Sequence, residues 1–470
     1  MAKATDTRRG PSVDSTALEE FRGAVRGGVI AEGDPGYDEA RKVYNAMIDK
    51  RPALIAKCAD AGDVITSLKF GRDHGLDVAV RGGSHNGAGF GSVEGGLVID
   101  LSPIRWVRVD PDVRTAHVGG GSVLGDLDHA AHAFGLGTPA GIVSTTGVGG
   151  LTLGGGHGYL TRKYGLTIDN LLGADVLLAD GSLVKANDKE NEDLFWALRG
   201  GGGNFGVVTS FTYRLHPAGT VVLGITLWPI DQAGEVLRWY REFLPSAPED
   251  LYGFFAFLIV PPAPPFPPEI HLKNMCGVVW CYTGDPDKHE EAFAPVRKAG
   301  KVAFEFVAPM PYPALQSMFD GLYPPGLQWY WRGDFFDRIP DEAIDAHLEY
   351  GSRVPTMHST MHLYPVDGAP HRIDKDETAW SYRKAVWSGV FAGVDPDPAN
   401  AEKIKDWSTR YEEALRPHSM GGAYQNFMME EGQERVRATY GDNYDRLAKV
   451  KAKYDPDNVF HVNQNIKPAT

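Results

Sequence analysis

Cysteine is nearly missing from this sequence: Cys58, Cys276 and Cys281 are the three thiols in 470 residues. So few cannot form a disulfide framework for a chain this long, and no CxxC or Cys/His spacing surrounds them, which excludes structural zinc. Long apolar runs are lacking as well. No stretch approaches the roughly 18 residues of a membrane helix, and the opening MAKATDTRRGPSVDS has basic residues with no apolar segment after them. The expectation is a cytoplasmic protein that meets no membrane. Positive charge is in deficit: 47 Lys and Arg face 61 Asp and Glu, a net charge of −14, and no basic stripe reverses it locally. Such a surface repels phosphate backbones, so nucleic acid is not an expected partner. Neither a GxxxxGK[ST] phosphate loop nor a GxSxG elbow occurs, which removes the common NTPase and hydrolase mechanisms.

Hydrophobic content of 43% and charged content of 23% are those of an ordinary globular protein, long enough for two or three domains or one large two-lobed enzyme. Its 56 glycines are unevenly spread, clustering as GG, GGG and GGGG between about 82 and 206, whereas 217–420 is richer in aromatics and proline. That shift places a boundary after VVTSFTYRLHP, where Val207, Phe211, Tyr213 and Leu215 share one face of a period-2 strand that Pro217 ends. Strands at 77–81, 96–101 and 115–121, helices over 123–134 and near 191–199, and a hairpin within 176–186 turning at Asp180-Gly181 make the region α+β. The run PPAPPFPP at 261–268 predicts a surface polyproline II segment.

Four glycine segments stand out: RGGSHNGAG (81–89), GGG (119–121), TTGVGGLTLGGGHG (145–158) and RGGGGNFG (199–206). Each lets the backbone approach a ligand closely, and consecutive free N–H groups form nests for anions such as a pyrophosphate. Four together point to a large, phosphate-bearing cofactor lying across loops. Gly201, Gly203 and Gly206 satisfy GxGxxG, but a helix precedes them and a strand follows, the reverse of a Rossmann unit. Asp126, Asp128, His129 and His132 read as an amphipathic helix rather than a metal site, and His358 with His362 is a weak pair, so no metal is expected.

Three longer motifs go further: VRGGSHNGAG (80–89), PAGIVSTTGVGGLTLGGGHGYLTRKYGLTIDN (139–170), and the closing YQNF (424–427) with YDPDNVFHVNQNI (454–466). Together they resemble the berberine bridge enzyme-like branch of FAD-linked oxidases in the vanillyl-alcohol oxidase superfamily, over nearly the whole chain. The resemblance implies an α+β, two-lobed fold: an FAD-binding domain from residues 1–216 and 420–470, and a substrate-binding domain, 217–419, whose antiparallel sheet covers the flavin. It implies FAD held by Arg81, Gly82, Gly83, Ser84, Asn86 and Gly87 in a pyrophosphate loop. Further contacts would come from Thr145, Thr146, Gly147, Gly149, Gly150, Gly154, Gly155, Gly156, His157 and Gly158, from Asn204 and Val207, and from Asn426, Asn463 and Asn465 in the tail. His85 matches the position that bonds covalently to the flavin 8α-methyl carbon. One departure is clear. Many relatives carry a second link from a cysteine in an AGxCPT segment; here that position is Val143, which cannot form a thioether, so His85 would be the single attachment. This singly linked pattern, shared with the 6-hydroxynicotine oxidases, turns the substrate expectation from sugars toward amines and secondary metabolites.

The activity so implied is removal of a hydride from a C–H beside an alcohol or amine of a small molecule, be it a secondary metabolite, alkaloid or sugar. The electrons would pass through the flavin to dioxygen, forming hydrogen peroxide. A dehydrogenase with another acceptor and a non-catalytic flavin-binding protein are the alternatives. Thr146 matches the position that gates oxygen in relatives, and its small side chain predicts fast reoxidation. Hydride departure also calls for a group that accepts the O–H or N–H proton. Tyr424 of YQNF is the first candidate, given a pKa lowered from ~10, with Tyr364 and Tyr382 behind it. Trp329, Tyr330, Trp331 and Tyr323 suit stacking on a substrate but fit a sugar, an alkaloid or a polyketide equally, and the oligomeric state is not specified.

Overall fold

A computed structural model describes residues 13–470; residues 1–12, most of the N-terminal segment read above, lie outside the described residues. Three larger sheets, and one two-stranded pairing of Leu136–Gly137 with His216–Pro217, organise the described residues. The first has the order Val29–Ala31, Leu54–Lys57, Leu97–Asp100, Val78–Arg81, with the last three parallel and the helix Ala61–Asp73 crossing between them. Its strands are short and nearly all apolar because both faces are covered, as parallel pairing demands. The second sheet is antiparallel, in the order Val107–Asp110, Thr115–Gly119, Val207–Arg214, Leu171–Leu177, Leu183–Asn187.

The third is a seven-stranded antiparallel sheet: Phe304–Pro311, Thr220–Pro229, Asn274–Tyr282, Leu251–Ile259, Thr360–Pro365, Trp387–Asp395, Gln328–Phe336. Alternate residues divide it into two buried faces. Phe255, Phe257, Trp280, Leu363 and Phe391 pack outward under the helices Ala233–Ser246, Asp341–Gly351 and Ala401–Leu415. Tyr252, Phe254, Trp329, Trp331, Tyr364 and Val390 point the other way, toward the glycine-rich part of the chain. Burying both faces leaves strands with no polar alternation, which is why the aromatic run 329–331 is a strand and not a loop.

The segment beyond residue 420 does not stay with this sheet. Ala423, Met428, Val436, Tyr440, Leu447 and Ile466 share one core with Val118, Phe211 and Tyr213 of the second sheet. Buried ion pairs tie the parts together: Arg162 to Asp367 at 2.8 Å, with further bonds from the same guanidinium to the carbonyls of Pro248 and Leu251, and Arg383 to Asp169 at 2.7 Å. The arrangement is the expected α+β, two-lobed one. Among the described residues no helix is long and apolar enough to cross a membrane, and no three His, Cys, Asp or Glu side chains come together as a metal site.

Three local expectations need correcting. A register shift between Val208 and Ser210 bulges the strand Val207–Arg214, so Val208, not Val207, shares the face of Phe211, Tyr213 and Leu215; Val207 packs with the first sheet. The hairpin after Leu177 turns through residues 178–182 instead of two, because Asp180 accepts the Ser182 N–H at 2.9 Å and Leu178 pairs with Ser182. The proline run is folded into turns, with Ala263 N–H on the Pro261 carbonyl and Phe266 N–H on that of Ala263, and so is not an extended polyproline II rod.

Candidate active site

A cavity of about 350 Å³ lies between the glycine-rich loops and the inner face of the seven-stranded sheet. One half of it is backbone. The strand Val78–Arg81 leads into residues 82–86, whose N–H groups find no protein carbonyl among the described residues, and Ser84 sits at φ 64°. Successive free N–H groups around a left-handed residue make an anion nest. This loop passes residues 146–147 at close range: a Cβ on Gly83 would stand 2.3 Å from the Gly147 nitrogen, and one on Gly147 2.4 Å from that of Gly83. Only glycine permits that approach. Arg81 and Asp100, both buried, pair at 2.7 Å and fix the start of the loop.

His85 projects from the loop into the cavity. Its ring stacks on Tyr44 at 3.8 Å and 17°, Thr145 Oγ1 lies 3.1 Å from Nε2, and Thr146 Oγ1 lies 3.5 Å from Nδ1. Burial pulls its pKa down to about 4, against a smaller raising effect of the hydrogen bond to Thr145. The imidazole is therefore neutral at pH 7, the form in which a ring nitrogen is a nucleophile. Val143 lines the same wall. The loop between is held from the other lobe, where Asp320 accepts the Ser144 N–H at 3.0 Å and also the Ser144 hydroxyl.

Gly149, Gly150, His157, Asn426 and Asn463 also line the cavity, with Gly203 and Gln464 beside them. Several other residues expected at the cofactor are not in the cavity lining. Gly154 and Gly156 are glycines because a Cβ would meet Asn426 at 2.4 Å and Thr167 at 2.1 Å; Gly155, at φ 126°, abuts Trp380 and Tyr424; Gly158 faces the Ala140 carbonyl; and Gly87 faces the Trp331 indole. They let the wall segments close on one another. Asn204 is buried as a clamp, donating to Gly201 and Gln464 carbonyls and accepting the Ile466 N–H at 2.9 Å. Val207 is turned away by the bulge, and Asn465 is off the cavity.

The other half is side chain. Tyr323, Trp329, Trp331, Thr360, His362 and Tyr364 come from the sheet side, Tyr424 and Phe427 from the returning tail. His362 and Tyr364 are alternate residues of one strand on one face, and His362 Nδ1 lies 2.5 Å from the Tyr364 hydroxyl. Burial drives the His362 pKa down to about 3 and holds that of Tyr364 well above the ordinary phenol value, so Tyr364 donates and the neutral imidazole accepts. The sequence marked His362 as half of a weak metal pair; its period-2 spacing from Tyr364 was the signal for its actual neighbour. Tyr44, by contrast, carries no signal at all.

Tyr424 lies in the cavity wall, its hydroxyl accepting the Gly156 N–H at 3.0 Å and Asn426 Nδ2 at 2.8 Å. Burial nevertheless pushes its pKa up to about 12, against the pull of those two donors, so the lowered value required of a free-standing base is not there. His157 packs among Tyr364, Tyr424 and Phe427 at 4.6–5.5 Å, and burial keeps it neutral, down to about 3. Tyr382 is displaced from any active-site role. It stacks on Phe335 at 4.8 Å, donates to the Ala438 carbonyl at 2.7 Å, and props the Gly422 backbone that leads into YQNF.

An anion nest, a glycine crossing too tight for any Cβ and a neutral histidine facing an aromatic chamber fit an FAD, which residues 82–86 and His85 could hold. That defines a flavin-dependent oxidoreductase. Comparison with known proteins agrees. Residues 52–187 match the family model described as FAD binding domain, and 423–467 the one described as berberine and berberine like. An FAD-linked oxidoreductase of Dictyostelium discoideum is 32% identical over 96% of this chain and 97% of its own. The (R)-6-hydroxynicotine oxidase of Paenarthrobacter nicotinovorans is 31% identical over 95% and 97%. A crystal structure of 6-hydroxy-D-nicotine oxidase from Arthrobacter nicotinovorans superposes with a TM-score of 0.84 at 28% identity, over 95% of this chain and 98% of that one. The chain belongs to the berberine bridge enzyme-like family of FAD-linked oxidoreductases.

Proposed function

We propose that the protein is an FAD-dependent oxidase that takes a hydride from the carbon bearing a hydroxyl or amine of a small molecule, with dioxygen as electron acceptor and hydrogen peroxide as product. The FAD-binding domain is assigned to residues 1–216 and 420–470, the substrate-binding domain to 217–419. FAD supplies the two-electron chemistry, and the chain supplies position and proton transfer. His85, neutral and held between Tyr44 and the Thr145 and Thr146 hydroxyls, is the covalent attachment point, and Val143 leaves it the only one.

The observation that carries the reading is the His362–Tyr364 pair inside the same cavity as His85. As the hydride leaves, the substrate hydroxyl becomes that of a protonated carbonyl, acidic enough to pass its proton to the phenol oxygen while the phenol proton moves to His362 Nδ1, even though burial holds the pKa of that imidazole down to about 3, so no isolated phenolate forms. Tyr424, whose hydroxyl already accepts two bonds, keeps its proton to donate and so orients the substrate oxygen. Thr146, which lines the cavity beside His85, is assigned as the oxygen gate, its small side chain being the ground for fast reoxidation. The test is peroxide release by the holoenzyme over a panel of alcohols and amines, paired with anaerobic flavin bleaching. Bleaching without fast reoxidation by air assigns a dehydrogenase, and no bleaching by any member overturns the enzyme reading.

A further inference from the structure

We propose that a hydrated seam inside the protein, running from Tyr364 through Tyr252, Tyr159 and Tyr312 to Asp128 and His132, carries the substrate proton from the cavity to solvent. This rests on the reading above that the His362–Tyr364 pair takes that proton. The pair cannot keep it: His362 is buried, its Nδ1 bonds Tyr364 alone, and burial holds its pKa down to about 3. The proton must go on from Tyr364 before the next turnover. Beyond this tyrosine lie buried polar atoms that no protein group bonds among the described residues: the hydroxyls of Tyr252, Tyr159 and Tyr312, Asp128 Oδ1 and His132 Nδ1. Native proteins leave few such atoms, since each one buried without a partner is destabilising.

These atoms are not scattered. Tyr252 stands two residues before Phe254 on one strand and on the same face, the Phe254 and Tyr364 rings are 5.1 Å apart, and those of Tyr159 and Tyr252 are 6.0 Å apart at 77°. Burial is the main cause that holds all three phenols well above the ordinary value, and their neighbours add to it: Tyr364, Tyr240 and Tyr159 on Tyr252, Cys281 and Tyr364 on Tyr159, and Asp128, Cys281 and Tyr159 on Tyr312. Hydroxyls near enough to act on one another yet beyond hydrogen-bond reach are what single water molecules bridge. Tyr312 and Gln316 are one turn apart on the helix Tyr312–Gln316, and Gln316 Nε2 donates to Asp128 Oδ2 at 3.2 Å, which leaves Oδ1 for the seam. Asp128 and His132 are likewise four apart on the helix Leu124–His132, and His132 is partly exposed, so the path ends at the surface. Burial lifts the Asp128 pKa to about 7 against the Gln316 bond, where a carboxyl both takes and gives a proton. Each phenol accepts one proton as it donates another, so no phenolate forms. The substrate O–H bond breaks, one proton leaves at His132 for each hydride taken, and one returns when dioxygen becomes hydrogen peroxide, so the whole cycle is neutral.

The test pairs Tyr159→Phe and Tyr312→Phe in the holoenzyme. Mixed anaerobically, in weakly buffered solution, with the alcohol that bleaches the flavin fastest, the wild type should release one proton per flavin to a pH-indicator dye in step with bleaching. In both variants proton release should lag bleaching by roughly tenfold or more, with kcat falling while kcat/KM, fixed at hydride transfer, holds. Release in step with bleaching in either variant overturns the inference. Thermal unfolding of the same proteins needs no substrate. Removing a hydroxyl that bonds buried water is destabilising, so Tm should fall in both variants, whereas removing an unbonded one is stabilising, so a rise of Tm in either also overturns the inference. A lowered Tm in both with no bleaching by any alcohol would remove the oxidase reading, and with it the substrate as the source of the proton, while the hydrated seam stands.

Discussion

The two halves of the cavity are built by opposite means. The cofactor half is main chain, a loop of free N–H groups crossing a second loop at Gly83 and Gly147 with no room for a methyl group. The substrate half is side chain, eight aromatic or polar groups carried on the sheet, on the loop before its edge strand Gln328–Phe336 and on one returning segment. A backbone site tolerates almost no substitution at its crossing points but makes the same contacts in any relative that keeps the glycines. A side-chain site can be rewritten residue by residue without disturbing the sheet beneath. One fold can thus hold one cofactor and many substrates.

The sharpest way to break that contrast is Gly83→Ala. It should abolish FAD loading, read as the loss of flavin absorbance in purified protein, whereas Gly23→Ala, at an exposed helix position outside the cavity lining and with nothing within 4 Å of its added Cβ, should load normally. Equal loading of both would show that the crossing does not govern cofactor binding. Next in size, His85→Ala should retain a bound flavin that is released wholly into the supernatant on acid precipitation, with peptide mapping placing the wild-type flavin on the His85 fragment alone. On the substrate side, Tyr364→Phe should slow anaerobic flavin reduction by about 10²-fold, the lower end for lost acid–base catalysis, while Tyr424→Phe should cost about tenfold and act mainly on substrate affinity. The reverse order would return the base to Tyr424.

Two smaller effects concern titration. Because His85 and His362 are held neutral down to about 4 and 3, the reduction rate should be flat from pH 5 to 8, and a limb near 6.5 would mean that one of them is solvated. Asp128, fully buried with Gln316 Nε2 at 3.2 Å, is the inverse case: burial raises its pKa to about 7. The native state then holds a proton that the unfolded chain has lost between about pH 4 and 7, so stability falls as pH rises through that window. Asp128→Asn should remove the fall, raising Tm by roughly 2 °C at pH 8 and by little at pH 4.5. A larger gain at the acid end would refute the assignment.

The same contrast explains what could be read in advance. The cofactor half was legible because glycine clusters report a backbone need directly, and RGGSHN and TTGVGG proved to be the two loops that cross. Gly154, Gly155, Gly156 and Gly158 lie outside the cavity lining, each with a protein neighbour that a Cβ would meet; a glycine required by a neighbouring side chain or carbonyl looks the same in sequence as one required by a ligand. Tyr382 failed for a related reason, since a tyrosine's partner is set by tertiary contacts that no local pattern encodes. Tyr44 stacks on a histidine 41 positions away through a loop of no recognisable type. The bulge at Val208–Ser210 inverted one residue's face because a single unpaired residue shifts the period-2 register.

The Asn204 clamp has a consequence for biosynthesis. Its side chain bonds the Gln464 carbonyl and the Ile466 N–H, some 260 residues downstream, and Lys451 reaches the Asn204 carbonyl at 2.7 Å. On the ribosome, the nest and the glycine crossing emerge early, yet their closing wall is still untranslated while the whole seven-stranded sheet is being made. Cofactor capture would therefore wait until residues 420–470 have left the ribosome, and a nascent chain halted before them would present the nucleotide loops open on one side.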